Sequence, residues 1–200
     1  MLPIYEYISN YKEALPLSHH TAFIIQFVGY KNTGKTTSVC RLTEKYKRKG
    51  QRVGTIKHDA HDFQIDTPGT DTWQHQAAGA DVTAITSASR TAILKSSGTE
   101  LDSLIAAMAQ DVDIILIEGF KSAPYPKIVF AREASQLALL QAISQPIALV
   151  CWPEALATAA EGRPDAEWGL SSEPLLPVIP IDDVDALFTL LENRRHSITP

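Results

Sequence analysis

The sequence predicts a three-layer α/β fold around a mainly parallel sheet with one additional strand pair, and three observations carry that prediction. Continuous apolar runs alternate with amphipathic segments along the 200 residues, the pattern of strands buried on both faces and joined by helices. The stretch Phe23-Ile24-Ile25-Gln26-Phe27-Val28 runs directly into the glycine-rich segment Gly29-Tyr30-Lys31-Asn32-Thr33-Gly34-Lys35-Thr36-Thr37. A second apolar run, Ile114 to Ile117, ends in an acid, Glu118.

Taken in order, residues 1 to 20 contain Pro3, Pro16 and several tyrosines and read as an N-terminal extension; residues 21 to 200 read as a single domain. The first strand is followed by a helix whose Val39, Leu42 and Tyr46 share one side, stopped at Gly50 after the basic run Lys45, Lys47, Arg48 and Lys49. Arg52 to His58 is a second strand, followed by a polar loop through Thr70 and a short helix from Asp71 to Ala80, on which Trp73 is a core aromatic and His75 an exposed imidazole. Val82 to Thr86 and Thr91 to Lys95 form a strand pair across Ser87 to Arg90. Thr99 is expected to cap a helix with Leu101, Leu104, Ile105 and Met108 at helical spacing. Strands follow at Asp113 to Gly119, Pro126 to Arg132 and Pro146 to Cys151. From Trp152 to Pro177 the chain is rich in Pro, Ala and Glu and reads as an exposed connection before a strand at Leu176 to Pro180 and a helix from Asp182 to about Arg194.

Composition excludes some functions. A net charge of -5 and a pI near 5.6 lack the basic footprint of a nucleic-acid protein. The apolar runs fall far short of the roughly 20 residues of a membrane span, and the N-terminus shows no signal pattern, so a cytoplasmic protein is expected. The two cysteines, Cys40 and Cys151, share no metal or redox spacing and read as small buried residues.

The run from Gly29 to Thr37 matches G-x-x-x-x-G-K-[ST]. Glycines let backbone N–H groups turn inward as an anion nest while the next helix presents its positive end. Gly29, Lys31, Asn32, Thr33, Gly34, Lys35, Thr36 and Thr37 are thus the phosphate-binding candidates. Lys35 reaches the β- and γ-phosphates and the Thr36 hydroxyl binds Mg²⁺. Ligands of open α/β sheets gather at strand carboxyl ends. Two further ends are polar: Lys57-His58-Asp59 and Glu118-Gly119-Phe120-Lys121. Glu118 is the expected acid at the Mg²⁺, and with Lys35 the expected catalytic pair. Lys121 adds positive charge near a phosphate. Asp59 or Asp66 is expected to orient Mg²⁺-bound water from a loop that senses the γ-phosphate.

Several motifs together resemble one family, the MobB proteins of molybdopterin-guanine dinucleotide biosynthesis. They are G-Y-K-N-T-G-K-T-T at 29 to 37, V-G-T-I-K-H-D at 53 to 59, H-D-F-Q-I-D at 61 to 66, P-G-T-D-T at 68 to 72, A-G-A at 78 to 80, I-L-I-E-G-F-K at 115 to 121 and P-K-I-V-F-A-R at 126 to 132. The similarity spans about residues 22 to 193. It implies a P-loop NTPase-like fold and a GTP-binding, weakly hydrolysing homodimer that assists the guanylyltransferase joining a GMP unit to molybdopterin. By position it puts the phosphate loop on Gly29 to Thr37, the Walker-B-like acid on Glu118 and a lysine on Lys121. The chain departs from the family at Thr67-Pro68-Gly69-Thr70-Asp71-Thr72, where the family commonly reads K-P-G-K-D-S; the two absent basic residues weaken direct pterin binding. It departs again near Val150-Cys151-Trp152, where the family often has a small polar residue and Asp, an acid suited to guanine, and where Trp152 offers stacking instead. No N-K-x-D motif is present, so preference for GTP over ATP rests on the resemblance.

The residues alone leave other classes open. A small-molecule kinase would use the same loop with Asp59 or Asp66 as base. A metallochaperone GTPase would use His58 and His61. A nucleotide-gated binding module would need no turnover. For a homodimer, the strand pair at 82 to 95 and the strand at 126 to 132 are the expected edges.

Overall fold

A computed structural model describes residues 22–59, 61–161 and 176–198; the expected extension at 1 to 20 lies outside them. The chain runs β1 (Phe23–Gly29), α1 (Lys35–Arg48), β2 (Val53–Lys57), α2 (Asp71–Ala77), β3 (Val82–Thr86), β4 (Thr91–Lys95), α3 (Leu101–Met108), β5 (Ile114–Glu118) and β6 (Lys127–Ala131). A 3₁₀ stretch (Ala134–Ala142) precedes β7 (Pro146–Cys151), α4 (Pro153–Glu161), β8 (Val178–Pro180) and α5 (Val184–Ile198). The main sheet has the order β2-β5-β1-β6-β7-β8 with every pairing parallel. β3 and β4 form a separate antiparallel pair.

Strand residues alternate between two cores because successive side chains point to opposite faces. Phe23, Ile25 and Phe27 join Ile114, Leu116, Ile128 and Phe130 under α1 and α5. On the opposite face Val28, Val129, Leu149 and Cys151 pack with the 3₁₀ stretch and Ala155 of α4, while Ile115, Ile117 and Ile56 pack with Leu101 and Ile105 of α3. This is the expected three-layer sandwich. Helix α1 buries Ser38, Val39, Leu42 and Tyr46 and is closed by Gly50 at φ 76, whose N–H donates to the Lys47 carbonyl. Against it lies α5, through the Tyr46 and Phe188 rings at 4.9 Å and the ion pairs Lys45 to Asp185 and Lys49 to Glu192.

Several expectations are corrected. Residues 153 to 161 form α4 rather than exposed connection: Pro153 sits at the first helical position, where its missing N–H costs nothing, and Ala155 is fully buried. The rest of that connection, through 175, lies outside the described residues. Glu100, not Thr99, occupies the N-cap of α3, with no side-chain cap bond. Helix α2 stops at Ala77, and Trp73 is half-buried rather than core, since α2 has no buried residue. β6 cannot be a sheet edge, because β1 and β7 flank it. The β3–β4 pair does carry open edges, and Val82, Ile85 and Ile93 are exposed on it.

Cys40 is exposed, contrary to expectation. It lies two residues from the buried Leu42, about 200° around a helix. Cys151 is buried, which pushes its thiol up to about 12. It stays neutral until the pH nears that value, and the thiolate is the reactive form. Titration of the native protein with a disulfide-exchange reagent at about pH 8 is expected to give one fast thiol, the second reacting only after denaturation; two fast thiols would contradict this packing.

Candidate functional site

β1 enters the sheet between β5 and β6, and the next strand in sequence lies toward one edge while β6 lies on the other side. The carboxyl end of β1 is therefore a topological switch point, where a crevice forms. The loop from Gly29 to Gly34 fills that end. Gly29 is required there: a Cβ would sit 2.7 Å from the Phe130 carbonyl oxygen of β6. Asn32 and Gly34 adopt φ 60 and 96, the left-handed conformations that curl backbone N–H groups inward. Gly34 is the N-cap of α1 and provides no capping side chain, and the first turn holds no acid. The first N–H groups of α1 thus keep their capacity for an anion.

Thr33 is buried, and its hydroxyl donates to the Tyr30 carbonyl at 2.9 Å. Lys35 folds back so that Nζ donates to the same carbonyl at 2.6 Å. Burial lowers its pKa, Glu118 opposes that effect, and Lys121 and Lys57 add to it. Lys31, Asn32 and Thr37 are exposed around the loop.

The sequence candidates Thr36 and Glu118, 82 residues apart, meet directly. The Thr36 hydroxyl lies 2.9 Å from each Glu118 carboxylate oxygen and donates to them. β5 delivers the acid because Glu118 pairs with Phe27, two residues before the loop starts. Lys57, at the end of β2, lies 3.8 Å from Glu118. Lys121 stands over the Tyr30 ring, its Nζ 4.7 Å from the centroid. A hydroxyl and a carboxylate beside a phosphate nest form an all-oxygen donor set, which fits a hard divalent cation such as Mg²⁺.

Other candidates are placed elsewhere. Asp59 is exposed, its carboxylate accepts the His61 backbone N–H, and it makes no contact with Thr36 or Glu118 among the described residues. Asp66 is engaged by Thr67, Thr70 and Gln76, and hydrogen bonds, that of Thr72 foremost, hold its carboxyl below the usual range. Its role is to fasten the loop onto α2, whose N-cap is Thr70. His58 packs on Phe120 with ring centroids at 4.7 Å, and its backbone N–H donates to the Glu118 backbone carbonyl. No group of three or more His, Cys, Asp or Glu side chains able to hold a metal occurs among the described residues.

Sequence reasoning assigned no role to Gln26, Lys127 or Arg132 and read Trp152 only as a stacking surface, yet all four shape the site. Gln26, fully buried in β1, donates to the carbonyls of Gly119 and Phe120 and clamps the turn after Glu118, where Phe120 has φ 52. Its isolation as an amide inside an apolar strand was the available signal. Lys127 is also fully buried, and its ammonium donates to the carbonyls of Ala123 and Tyr125 and to Ser144, fixing the loop that carries Lys121. Trp152 donates from Nε1 to the Thr33 carbonyl at 3.0 Å, and the Arg132 guanidinium stacks over its ring. No local pattern reveals the contact of Trp152 with Thr33, which bridges 119 residues.

This fold and site define a P-loop nucleotide-binding protein. The chain belongs to the MobB family: residues 24–152 match the family described as molybdopterin guanine dinucleotide synthesis protein B. It is 42% identical over 124 residues to a probable molybdopterin-guanine dinucleotide biosynthesis adapter protein of Bacillus subtilis, covering 60% of this chain and 72% of that one. It is 36% identical over 117 residues to the adapter protein of Escherichia coli, covering 56% of this chain and 67% of that one. The crystal structure of Bacillus subtilis MobB superposes with a TM-score of 0.63 at 33% identity, covering 84% of this chain and 96% of that one.

Replacing Lys127 by Met would leave the Ala123 and Tyr125 carbonyls without their donor. Urea unfolding is expected to show a loss of about 2–3 kcal/mol, the scale of unpaired buried polar groups; an unchanged midpoint would show that the ammonium does not hold this loop.

Proposed function

We propose that this protein is a GTP-binding accessory protein of molybdopterin-guanine dinucleotide synthesis. The meeting of Thr36 with Glu118 beside the Lys35 loop carries this reading, since it joins a phosphate nest to an oxygen donor pair. Membership of a family whose curated relatives are called adapter proteins supports the accessory role.

In this reading Gly29, Lys31, Asn32, Thr33, Gly34, Thr36 and Thr37 wrap the phosphates with backbone N–H groups. Lys35 exchanges its contact with the Tyr30 carbonyl for the β- and γ-phosphates, and Lys121 and Lys57 add positive charge at the mouth. Thr36 and Glu118 hold Mg²⁺, which neutralises charge developing on the phosphates. Positioning and charge supply the catalysis, and hydrolysis is slow, because Glu118 is engaged by Thr36 and the loop carboxylates Asp59 and Asp66 are engaged by their own neighbours. The same fact disfavours the kinase alternative: Asp66 is committed to α2, and Asp59 to the His61 N–H.

The partner is the guanylyltransferase that joins GMP to molybdopterin, and the protein acts as a cytoplasmic homodimer. Exposed Val82, Ile85 and Ile93 on the β3–β4 pair support self-association. No described helix is long and apolar enough to cross a membrane.

Calorimetric titration with non-hydrolysable GTP and ATP analogues, with and without Mg²⁺, tests the reading. The wild type is expected to bind the guanine analogue better and in a Mg²⁺-dependent way. Lys35→Ala is expected to lose roughly tenfold to a hundredfold or more in affinity, the scale of charged hydrogen bonds, while keeping its circular dichroism. Equal binding by that variant would remove the reading.

A further inference from the structure

Beside the phosphate loop, the carboxyl ends of β7 and β8 enclose a cavity of about 180 Å³ lined by Trp152, Pro153, Leu156, Pro180, Ile181 and Asp182. Its lining carries one charged side chain, that of Asp182. Two contacts tie it to the loop: Trp152 donates to the Thr33 carbonyl, and the Ile181 side chain lies against Gly34, where an added Cβ would meet it at 2.7 Å. Backbone bonds from Trp152 to Ala131 and from Ile181 to Cys151 hold both walls on the sheet. β7 and β8 lie two and three strands from β1, about 10 and 14 Å at the spacing of paired strands. An α-phosphate and a ribose span that distance.

We propose that the base of the bound nucleotide enters this cavity and that Asp182 selects guanine. The proposal rests on the loop binding a nucleoside triphosphate. A flat apolar slot with an indole wall suits a purine ring. An ionised carboxylate only accepts hydrogen bonds, and guanine presents two adjacent donors, N1–H and the 2-amino group. Adenine presents an acceptor at N1, and xanthine replaces the amino group by a carbonyl, so each meets the carboxylate with a lone pair. Hypoxanthine keeps N1–H but lacks the second donor. The neighbouring Asp183 is committed, since its carboxylate accepts the Ala186 N–H at the start of α5. Asp182 is exposed; its backbone carbonyl accepts the Val184 N–H, while its carboxylate has no hydrogen-bond or ion-pair partner among the described residues, which leaves the carboxylate available to a ligand. This chain therefore meets guanine without an N-K-x-D motif and without an acid at the end of β7, from the strand beside it.

Competition binding on the full chain tests this, using GTP, ITP, ATP, XTP and inorganic tripolyphosphate with Mg²⁺. The wild type is expected to rank GTP above ITP, and both above ATP and XTP. Asp182→Asn presents one donor and one acceptor, matching the C2 carbonyl and N1–H of xanthine. It should lower the preference for GTP over XTP at least tenfold while leaving tripolyphosphate affinity unchanged. Asp183→Ala, which removes only a helix cap, should leave the ranking intact. If the wild type binds tripolyphosphate but does not distinguish the bases, or if Asp182→Asn keeps the wild-type ranking, the proposal is overturned and the phosphate-loop reading stands. If the wild type binds neither tripolyphosphate nor any nucleotide, both are overturned.

Discussion

Phe27 lies opposite Glu118 of β5, and Gly29 lies opposite Phe130 of β6; this double parallel register sets where every group of the site falls. A slip of one residue would turn each strand's side chains to the wrong face. It would also draw Glu118 away from Thr36 and press the loop against the Phe130 carbonyl, where only glycine fits. The cores on both faces fix the register, because Phe27 and Phe130 meet under α1 while Val28 and Val129 face the other way. Packing of the sheet and geometry of the site are thus one constraint seen at two ends of the strands.

Electrostatics follow from the same placement. Three lysines, Lys35, Lys57 and Lys121, converge from β2, α1 and the loop after β5, with Glu118 among them. Burial and two like charges depress the Lys35 pKa while one acid opposes them. Such an excess of positive charge suits the site to an anion. The remaining scaffold holds this cluster by hydrogen bonds to backbone carbonyls: the Gln26 amide clamps the turn after Glu118, and the Lys127 ammonium donates to Ala123 and Tyr125.

Much of this was legible in the sequence, for identifiable reasons. Buried strands announce themselves as short continuous apolar runs, and the phosphate loop has a fixed spacing of glycines with Lys and Thr, so β1, β5, β7 and the loop were readable. Glu118 was readable because an acid ending an apolar strand is conspicuous beside that loop. Pairing order was not, and the 126–132 strand was accordingly misplaced at an edge when it lies in the centre. Helix α4 was hidden by a proline and small residues that resemble a linker until Ala155 is seen buried. Trp152 and Ile181 approach the loop only through the fold, and loop residues such as Asp66 show their partners only in three dimensions.

The central claim is that Thr36 and Glu118 act as one unit at the phosphate loop. A double-mutant cycle measures this most directly, by Mg²⁺-dependent binding of a non-hydrolysable GTP analogue to the wild type, Thr36→Ala, Glu118→Ala and the double variant. Each single change is predicted to remove most of the gain that Mg²⁺ provides, and the double variant to lose little more. Losses that simply add, or Mg²⁺ dependence that survives in either single variant, would contradict the account.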